Sequence, residues 1–260
     1  MKHLLPSVAT LMIALATGAS LAQSPAQTPA PAPPATAPLN RNIIVLDAAH
    51  GGVDSGSRIG DSTLEKDVTL ALAFRLRSLL AARGFTVVMT RENDAAQKPG
   101  APAAGNSALT LDDRAGIANH AHAAACLLLH ATGTGDSVHL YSSELDPAPA
   151  ETAVPPWLTA QAAWVSQSTQ LEARIGAALQ RAKLPLVSSR ASVRPVDSLT
   201  CPAVVVELAP ESEDRNSITD SDYQQRVAEA IAGALVFWAQ QVQPPLLLPG
   251  VHAAETAVQP

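Results

Sequence analysis

Short, unbroken apolar runs alternate with longer amphipathic stretches across the middle of the chain. Runs of four to seven aliphatic residues, many of them β-branched, are typical of strands buried on both faces of a parallel sheet. Together with the shorter apolar stretches at 85–90 and 137–141, these runs predict five strands, at 42–47, 85–90, 124–129, 137–141 and 203–208. The strands are separated by segments long enough to hold a crossover helix.

The amphipathic stretches repeat their apolar residues every three or four positions, which is the spacing of one helix face. In the first stretch this face is formed by Leu64, Val68, Leu72, Leu76 and Leu79. The pattern predicts four helices, at 64–82, 109–122, 160–182 and 221–241. Because strands and helices alternate, the sequence predicts an α/β fold, a three-layer αβα domain with a mainly parallel central sheet of about six strands.

The N-terminal segment 1–22 has the pattern of a secretory signal peptide. A basic start at Lys2 precedes an apolar stretch at 11–19, and small residues before the 22/23 bond suit cleavage after Ala22. This stretch is too short to cross a membrane comfortably, although an uncleaved anchor is the alternative interpretation. We therefore expect an exported protein, in the periplasm or, alternatively, in the extracellular cell wall.

Two Pro-rich segments flank the predicted domain. Residues 23–40 consist mostly of Ala, Pro, Gln, Thr and Ser and predict a disordered tether, and 244–260 predict a disordered tail. The remaining segment, 41–243, is long enough to form one well-buried core. The sequence thus predicts a single folded domain between two solvated ends.

The net charge and the apolar segments argue against nucleic-acid-binding and membrane-spanning proteins, and the two cysteines raise the question of a disulfide. The formal net charge is −6, and loss of Lys2 with the signal takes it to −7, so a nucleic-acid partner is disfavoured. Nothing after the signal is long and apolar enough for a transmembrane segment. Cys126 and Cys201 both lie at or beside predicted strands; we interpret them as buried free thiols, with a disulfide between adjacent strands as the alternative.

Three predicted strands end at side chains that bind metals or carry protons. The first leads into His50, the run Cys126–Leu129 ends at His130, and the run Ala203–Val206 ends at Glu207. In open α/β sheets, ligands bind beyond the carboxyl ends of the strands. Two imidazoles and a carboxylate at that edge therefore suggest a metal-hydrolase site.

Glu207 has the fewest alternative interpretations. A carboxylate within an apolar strand is costly to bury, so its pKa is expected to rise toward the range that suits a general base or acid. The alternative is an ion pair with a core arginine, Arg114 or Arg194. The histidines have more ordinary alternatives: His50 as a loop residue, His130 as a core residue.

Four further residues are weaker candidates on spacing alone. Glu65 follows Ser62 by three residues, which is the spacing of a helix capping box. His120 and His122 lie on a predicted helix, and His139 lies within a short strand. From the residues alone, these are interpreted as structural.

Five segments, in this order, resemble the zinc-dependent N-acetylmuramoyl-L-alanine amidases, which remove stem peptides from peptidoglycan. The first reads Ile-Val-Leu-Asp-Ala-Ala-His-Gly-Gly-Val-Asp-Ser-Gly. The matching segments are 44–56, 64–70, 75–91, 111–119 and 202–208. The resemblance covers about 42–240, essentially the whole predicted domain.

The resemblance implies a role for each candidate residue. It implies that His50, Glu65 and His130 hold Zn²⁺, with Glu65 a ligand rather than a cap, and that Glu207 is the catalytic base and acid. Three ligands leave a fourth zinc position for water. The bond hydrolysed would join N-acetylmuramic acid to L-alanine, and Asp47 would either orient His50 or cap the strand end.

Three departures from the family pattern surround the candidate site. Ala48-Ala49 replaces Pro-Gly, Leu128-Leu129-His130-Ala131-Thr132 replaces Ser-Ile-His-Ala-Asn, and the residues after Glu207 also differ. No metal ligand is lost. These departures leave two alternatives to an active amidase. One is a catalytically weak domain that binds peptidoglycan or a division partner, and the other is another zinc peptidase.

The segment 142–169 is longer than the simplest family members need. In some relatives an inserted helix covers the zinc until a protein activator binds. Here Trp157 and Trp164 would pack such a lid, with Glu144 or Glu151 blocking the metal. We favour the simpler interpretation, a surface loop with one buried tryptophan.

Overall fold

The structure is a computed structural model, and it describes residues 39–94, 108–148, 157–211 and 214–241. The predicted signal peptide, almost all of the tether and the tail lie outside the described residues. Within the described part, no helix has the length and apolarity needed to span a membrane.

A six-stranded sheet forms the centre of the domain. The strands in chain order are β1 (Asn40–Ala48), β2 (Arg58–Ile59), β3 (Thr63–Leu64), β4 (Thr86–Met89), β5 (Ala123–Ala131), β6 (Val138–Ser143), β7 (Leu186–Ala191) and β8 (Ala203–Leu208). The sheet order is β4-β1-β5-β8-β6-β7, and β2 and β3 form a separate small hairpin. The first four strands of that order are parallel to one another. Strand β6 pairs antiparallel with β8, and β7 pairs parallel with β6.

Helices cover both faces of this sheet. They are α1 (Glu65–Ala81), α2 (Leu111–His120), α3 (Val165–Arg181) and α4 (Ser221–Gln241). Alternate strand residues enter two separate cores: Leu46 and Leu127 pack with α1, α3 and α4, while Val45 and Leu128 pack on the α2 side. Because both faces are buried, the central strands β5 and β8 are apolar at every position before His130 and Glu207. The predicted three-layer αβα fold is confirmed.

Several elements differ from the sequence prediction. The third helix begins at Val165 rather than at 160, because a 3₁₀ segment at Trp157–Ala163, kinked at Thr159, precedes it. Strand β7 was not predicted: its middle residues are exposed at the sheet edge, so it lacks the apolar pattern of the other strands. The helix predicted at 109–122 is shorter, and His122 follows it at a positive φ of 47°.

The two cysteines form a disulfide. Cys126 lies on β5 and Cys201 lies just before β8, with Cα atoms 6.2 Å apart. The interpretation as free thiols is therefore wrong in this structure, and the alternative of a bridge between adjacent parallel strands holds. The disulfide joins the two strands that end at His130 and Glu207.

The described part of the 142–169 segment lies away from the candidate site. Since His139 pairs with Glu207 and β6 runs antiparallel to β8, the chain after His139 moves toward the amino ends of the parallel strands. Exposed Glu144 follows five residues later, about 16 Å away along the strand. Glu144 therefore does not reach the predicted metal ligands. Glu151 lies outside the described residues.

The tryptophans of that segment do not pack a lid over the site. Trp157 is 43% exposed and Trp164 is half-buried, so the expected single buried tryptophan is also wrong. The neighbouring Gln161 instead donates its amide N–H groups to the carbonyls of Leu199 and Cys201. These contacts anchor the described part of the segment beside the beginning of β8.

Candidate functional site

The loop after β1 places His50 at the carboxyl edge of the sheet. His50 has a φ of 63° and is followed by Gly51 and Gly52, also at positive φ. Left-handed backbone is unfavourable for most side chains, so the loop needs external support. Arg114 supplies part of it, donating to the carbonyls of Ala48 at 2.9 Å and His50 at 2.6 Å.

Asp47 supports this loop indirectly. Its carboxylate accepts from Arg114 at 2.6 Å and from the Thr90 hydroxyl at 2.5 Å, all three groups being buried. It therefore neither contacts nor orients the His50 ring. That contact is made by Asp54, whose Oδ2 lies 2.9 Å from His50 Nδ1.

Glu65 is the first residue of α1, but it does not cap the helix. Leu64 occupies the cap position and makes no side-chain cap hydrogen bond, so the capping-box interpretation is wrong. The carboxylate is buried, with 4% of the residue exposed, and turns toward the sheet edge. It accepts from the backbone N–H groups of Ser57 at 2.9 Å and Ala131 at 3.2 Å.

His50, Glu65 and His130 converge in space. Glu65 Oε1 lies 3.1 Å from His50 Nε2 and 2.9 Å from His130 Nδ1, and the two rings meet edge to face with centroids 5.5 Å apart. One nitrogen or oxygen atom from each residue lies within 4.8 Å of the others. A loop, a helix start and a strand end thus contribute one potential metal ligand each.

The electrostatics of this cluster favour an ionised carboxylate. Burial alone would raise the pKa of Glu65, but hydrogen bonds from His130, His50 and two backbone N–H groups hold it well below its usual range. The hydrogen bond with Glu65 raises the pKa of His50, against the opposing effect of burial. A permanently charged carboxylate between two imidazoles suits a divalent cation.

Glu207 lies on the strand beside His130. In the register of β5 and β8, His130 is paired with Glu207, so both side chains leave the sheet edge at the same level. The expected alternative partners bind elsewhere: Arg114 pairs with Asp47, and Arg194 pairs with exposed Asp112 at 2.8 Å. Glu207 remains about one-quarter exposed at the cluster, not sealed inside the core.

Two contacts of Glu207 come from residues that sequence reasoning missed or set aside. His139 Nδ1 lies 2.8 Å from Glu207 Oε2, and the Tyr141 hydroxyl donates to the same oxygen at 3.1 Å. Both lie on β6, two residues apart and therefore on one face of the sheet. The two-residue spacing of His139 and Tyr141 was visible in the sequence. The pairing of β6 with β8, which brings both residues to Glu207, was not. His120 and His122 lie at the other end of α2, away from the cluster.

Comparison with known proteins identifies the scaffold. A family model described as N-acetylmuramoyl-L-alanine amidase matches residues 44–236. The germination-specific N-acetylmuramoyl-L-alanine amidase of Bacillus subtilis is 40% identical over 99 residues, which are 37% of this chain and 41% of that protein. AmiA of Escherichia coli is 32% identical over 93 residues, 36% of this chain and 28% of that one. The chain thus aligns with less than half the length of these relatives.

Solved structures share the same fold. Ami1 of Mycobacterium smegmatis has a TM-score of 0.61 at 20% identity, covering 78% of this chain and 99% of its own. CwlD of Clostridioides difficile, solved in complex with the GerS lipoprotein, has a TM-score of 0.59 at 23% identity, covering 77% of this chain and 99% of its own. Since the family model matches residues 44–236, which are most of the chain, the chain belongs to the N-acetylmuramoyl-L-alanine amidase family.

Proposed function

We propose that this chain is an exported, zinc-dependent amidase that hydrolyses the bond between N-acetylmuramic acid and L-alanine in peptidoglycan. One observation carries the proposal: the convergence of His50, Glu65 and His130 beside Glu207 at one sheet edge. The family match supports the reaction class. The departures at Ala48 and Ala49 leave this cluster intact, because Arg91 and Arg114 hold those residues through their carbonyl oxygens.

The donor set fits zinc. Two imidazole nitrogens and one carboxylate oxygen from His50, His130 and Glu65 match a catalytic site that keeps a position for water. When bound, zinc lowers the pKa of water and polarises a carbonyl. Asp54 fixes the His50 ring through Nδ1, which leaves Nε2 directed at the cluster.

Glu207 is the proposed proton carrier. It takes a proton from the attacking water and delivers it to the amine that leaves as the amide bond breaks. Its partial exposure lets a substrate reach it, and its place beside His130 puts it next to the proposed metal ligands. The net negative charge of the chain also disfavours a nucleic-acid partner.

Export is proposed from two independent features. Segment 1–22 has a signal-peptide pattern, and the Cys126–Cys201 disulfide is the kind of bond that persists in an oxidising compartment such as the periplasm. A protein activator is a further part of the proposal, suggested by the likeness to the complex of CwlD with the GerS lipoprotein.

The test is digestion of purified sacculi by the chain 23–260 in the presence of zinc. We expect peptide-free glycan strands and new L-alanine amino termini. Glu207→Gln should bind zinc in a 1:1 ratio and lose activity. His120 is exposed at the end of α2, away from the cluster, so His120→Ala should retain activity. Zinc binding without any product would favour the peptidoglycan-binding alternative, and new termini within the stem peptide would favour another peptidase.

A further inference from the structure

We propose that His139 and Tyr141 are positioning residues that fix the Glu207 carboxylate through Oε2 and thereby assign proton transfer to Oε1. This inference rests on the proposed function, since it specifies how the catalytic carboxylate is presented. It also gives His139 a role at the candidate site, which the other two weaker candidates, His120 and His122, do not have.

The geometry converges on a single oxygen. His139 Nδ1 lies 2.8 Å and the Tyr141 hydroxyl 3.1 Å from Glu207 Oε2. Within the part of the chain that the structure describes, Glu207 Oε1 has no hydrogen-bond partner. One oxygen is therefore bound twice, and the other is left for a ligand or water.

The sheet makes this arrangement rigid. β6 pairs antiparallel with β8, and His139 lies directly opposite Glu207 while Tyr141 lies opposite Val205. His130 flanks Glu207 on the other side in the register of β5 and β8. The carboxylate thus leaves the central one of three adjacent strands, with its support on one side and a proposed metal ligand on the other.

The chemistry of the three groups sets the hydrogen directions. An ionised carboxylate only accepts, so the imidazole must carry its proton on Nδ1 when neutral, which leaves Nε2 as an acceptor. Burial and the charge of Glu207 raise the pKa of Tyr141, so its hydroxyl stays protonated and donates. Gly135 lies against the Nε2 edge of the ring, where a Cβ would be 3.6 Å from that nitrogen.

Two donors on one oxygen restrain rotation of the carboxylate about its last side-chain bond. Without them, Glu207 would sample orientations in which neither oxygen faces the substrate. A lost hydrogen bond to a charged group then appears as a lower kcat, by about 10- to 100-fold, with little change in KM. A substrate-binding role for His139 would instead raise KM.

The experiment compares steady-state sacculus digestion by wild type, His139→Ala, His139→Asn and Tyr141→Phe, with His120→Ala as the control histidine. We expect His139→Ala to lose about 10- to 100-fold in kcat, and Tyr141→Phe to lose less, since one donor remains. His139→Asn places an amide N–H near the position of Nδ1 and should restore much of the loss. Zinc content should stay at the wild-type value in every variant.

A second measurement does not depend on turnover. In metal-free protein labelled with ¹⁵N-histidine, the His139 ring should show the Nδ1–H tautomer, with a downfield proton that Glu207→Gln shifts or removes. Because this assignment uses neither zinc nor substrate, it also separates poor folding of a variant from loss of the contact.

The outcomes distinguish the two proposals. An inactive wild type would overturn the proposed function, while the His139 tautomer would still report on the contact. An active wild type with full kcat in His139→Ala would overturn the positioning role. So would a loss in His139→Ala that appears in KM alone, or an Nε2–H tautomer insensitive to Glu207.

Discussion

Two arginines hold the loop after β1 through its backbone carbonyls. Arg91 donates to the carbonyls of Ala48 and Ala49, and Arg114 donates to Ala48 and His50. Burial and the neighbouring Arg114 lower the pKa of Arg91 to about 10, which still leaves it charged at neutral pH. The loop thus keeps its shape with alanines where the family usually has Pro-Gly.

Gly56 is the residue in this loop with the least room for a side chain. Its φ is 64°, and a Cβ would lie 2.6 Å from His50 Cδ2 and 2.8 Å from Glu65 Oε2. Gly56→Ala should therefore displace two proposed zinc ligands and weaken zinc affinity by at least about tenfold, measured by competition with a chromophoric chelator.

Gly84→Ala is the matched control for that substitution. Gly84 has a φ of 86° with no atom within 4 Å of an added Cβ, so it tests backbone strain without the clash. We expect a loss of about 1–2 kcal/mol in the free energy of unfolding and unchanged zinc affinity. Equal zinc affinity in the two variants would contradict the close packing of Gly56 against the ligands.

The sequence predicts some of these residues better than others. His50 and Glu207 were visible because they end apolar strands, which is a local pattern. The spacing of Glu65 from Ser62 favoured a helix cap, and only the resemblance favoured a metal ligand. His139 was missed as a partner of Glu207 because antiparallel pairing of β6 with β8 is a long-range contact without a local signature.

Among the elements, β5 and β8 have a special place, because they carry His130 and Glu207 and are joined by both a ladder and a disulfide. Their apolar runs made them easy to predict. Strand β7 and the beginning of α3 were harder: an exposed edge strand needs no apolar pattern, and a 3₁₀ helix continues a helical spacing without being part of the α-helix.

Removal of the disulfide should lower stability without dismantling the site. Cys126 and Cys201 are 75 residues apart, and a loop of that size corresponds to about 4 kcal/mol of chain entropy in the unfolded state. The double substitution to alanine should therefore lower the free energy of urea unfolding by about 2–4 kcal/mol. Alanine avoids an unpaired hydroxyl, since both positions are buried.

Activity of this double variant at low temperature should stay close to wild type, because the ladder between β5 and β8 keeps His130 opposite Glu207. Reductant supplies the control: it should lower the stability of wild type toward that of the variant and leave the variant unchanged. Equal stability of oxidised wild type and variant would show that the bridge does not form in solution.

For the whole molecule, the proposed zinc site joins parts of the chain that are far apart in sequence. Its ligands come from the loop after β1, the start of α1 and the end of β5. The unfolded chain does not hold these three side chains together, so zinc should bind the folded state preferentially. Stability is then linked to metal concentration.

Zinc at about 100 times its dissociation constant should add about 2.7 kcal/mol to the free energy of unfolding. In a domain of this size, that corresponds to a rise in Tm of about 5–11 °C relative to protein in chelator, measured by differential scanning calorimetry. Glu65→Gln should lose this rise, because a neutral amide is a poor zinc ligand. Glu207→Gln should keep this rise, since the proposed role of Glu207 is proton transfer and not metal binding. A Glu207→Gln variant without the zinc-dependent rise would instead place that carboxylate among the ligands.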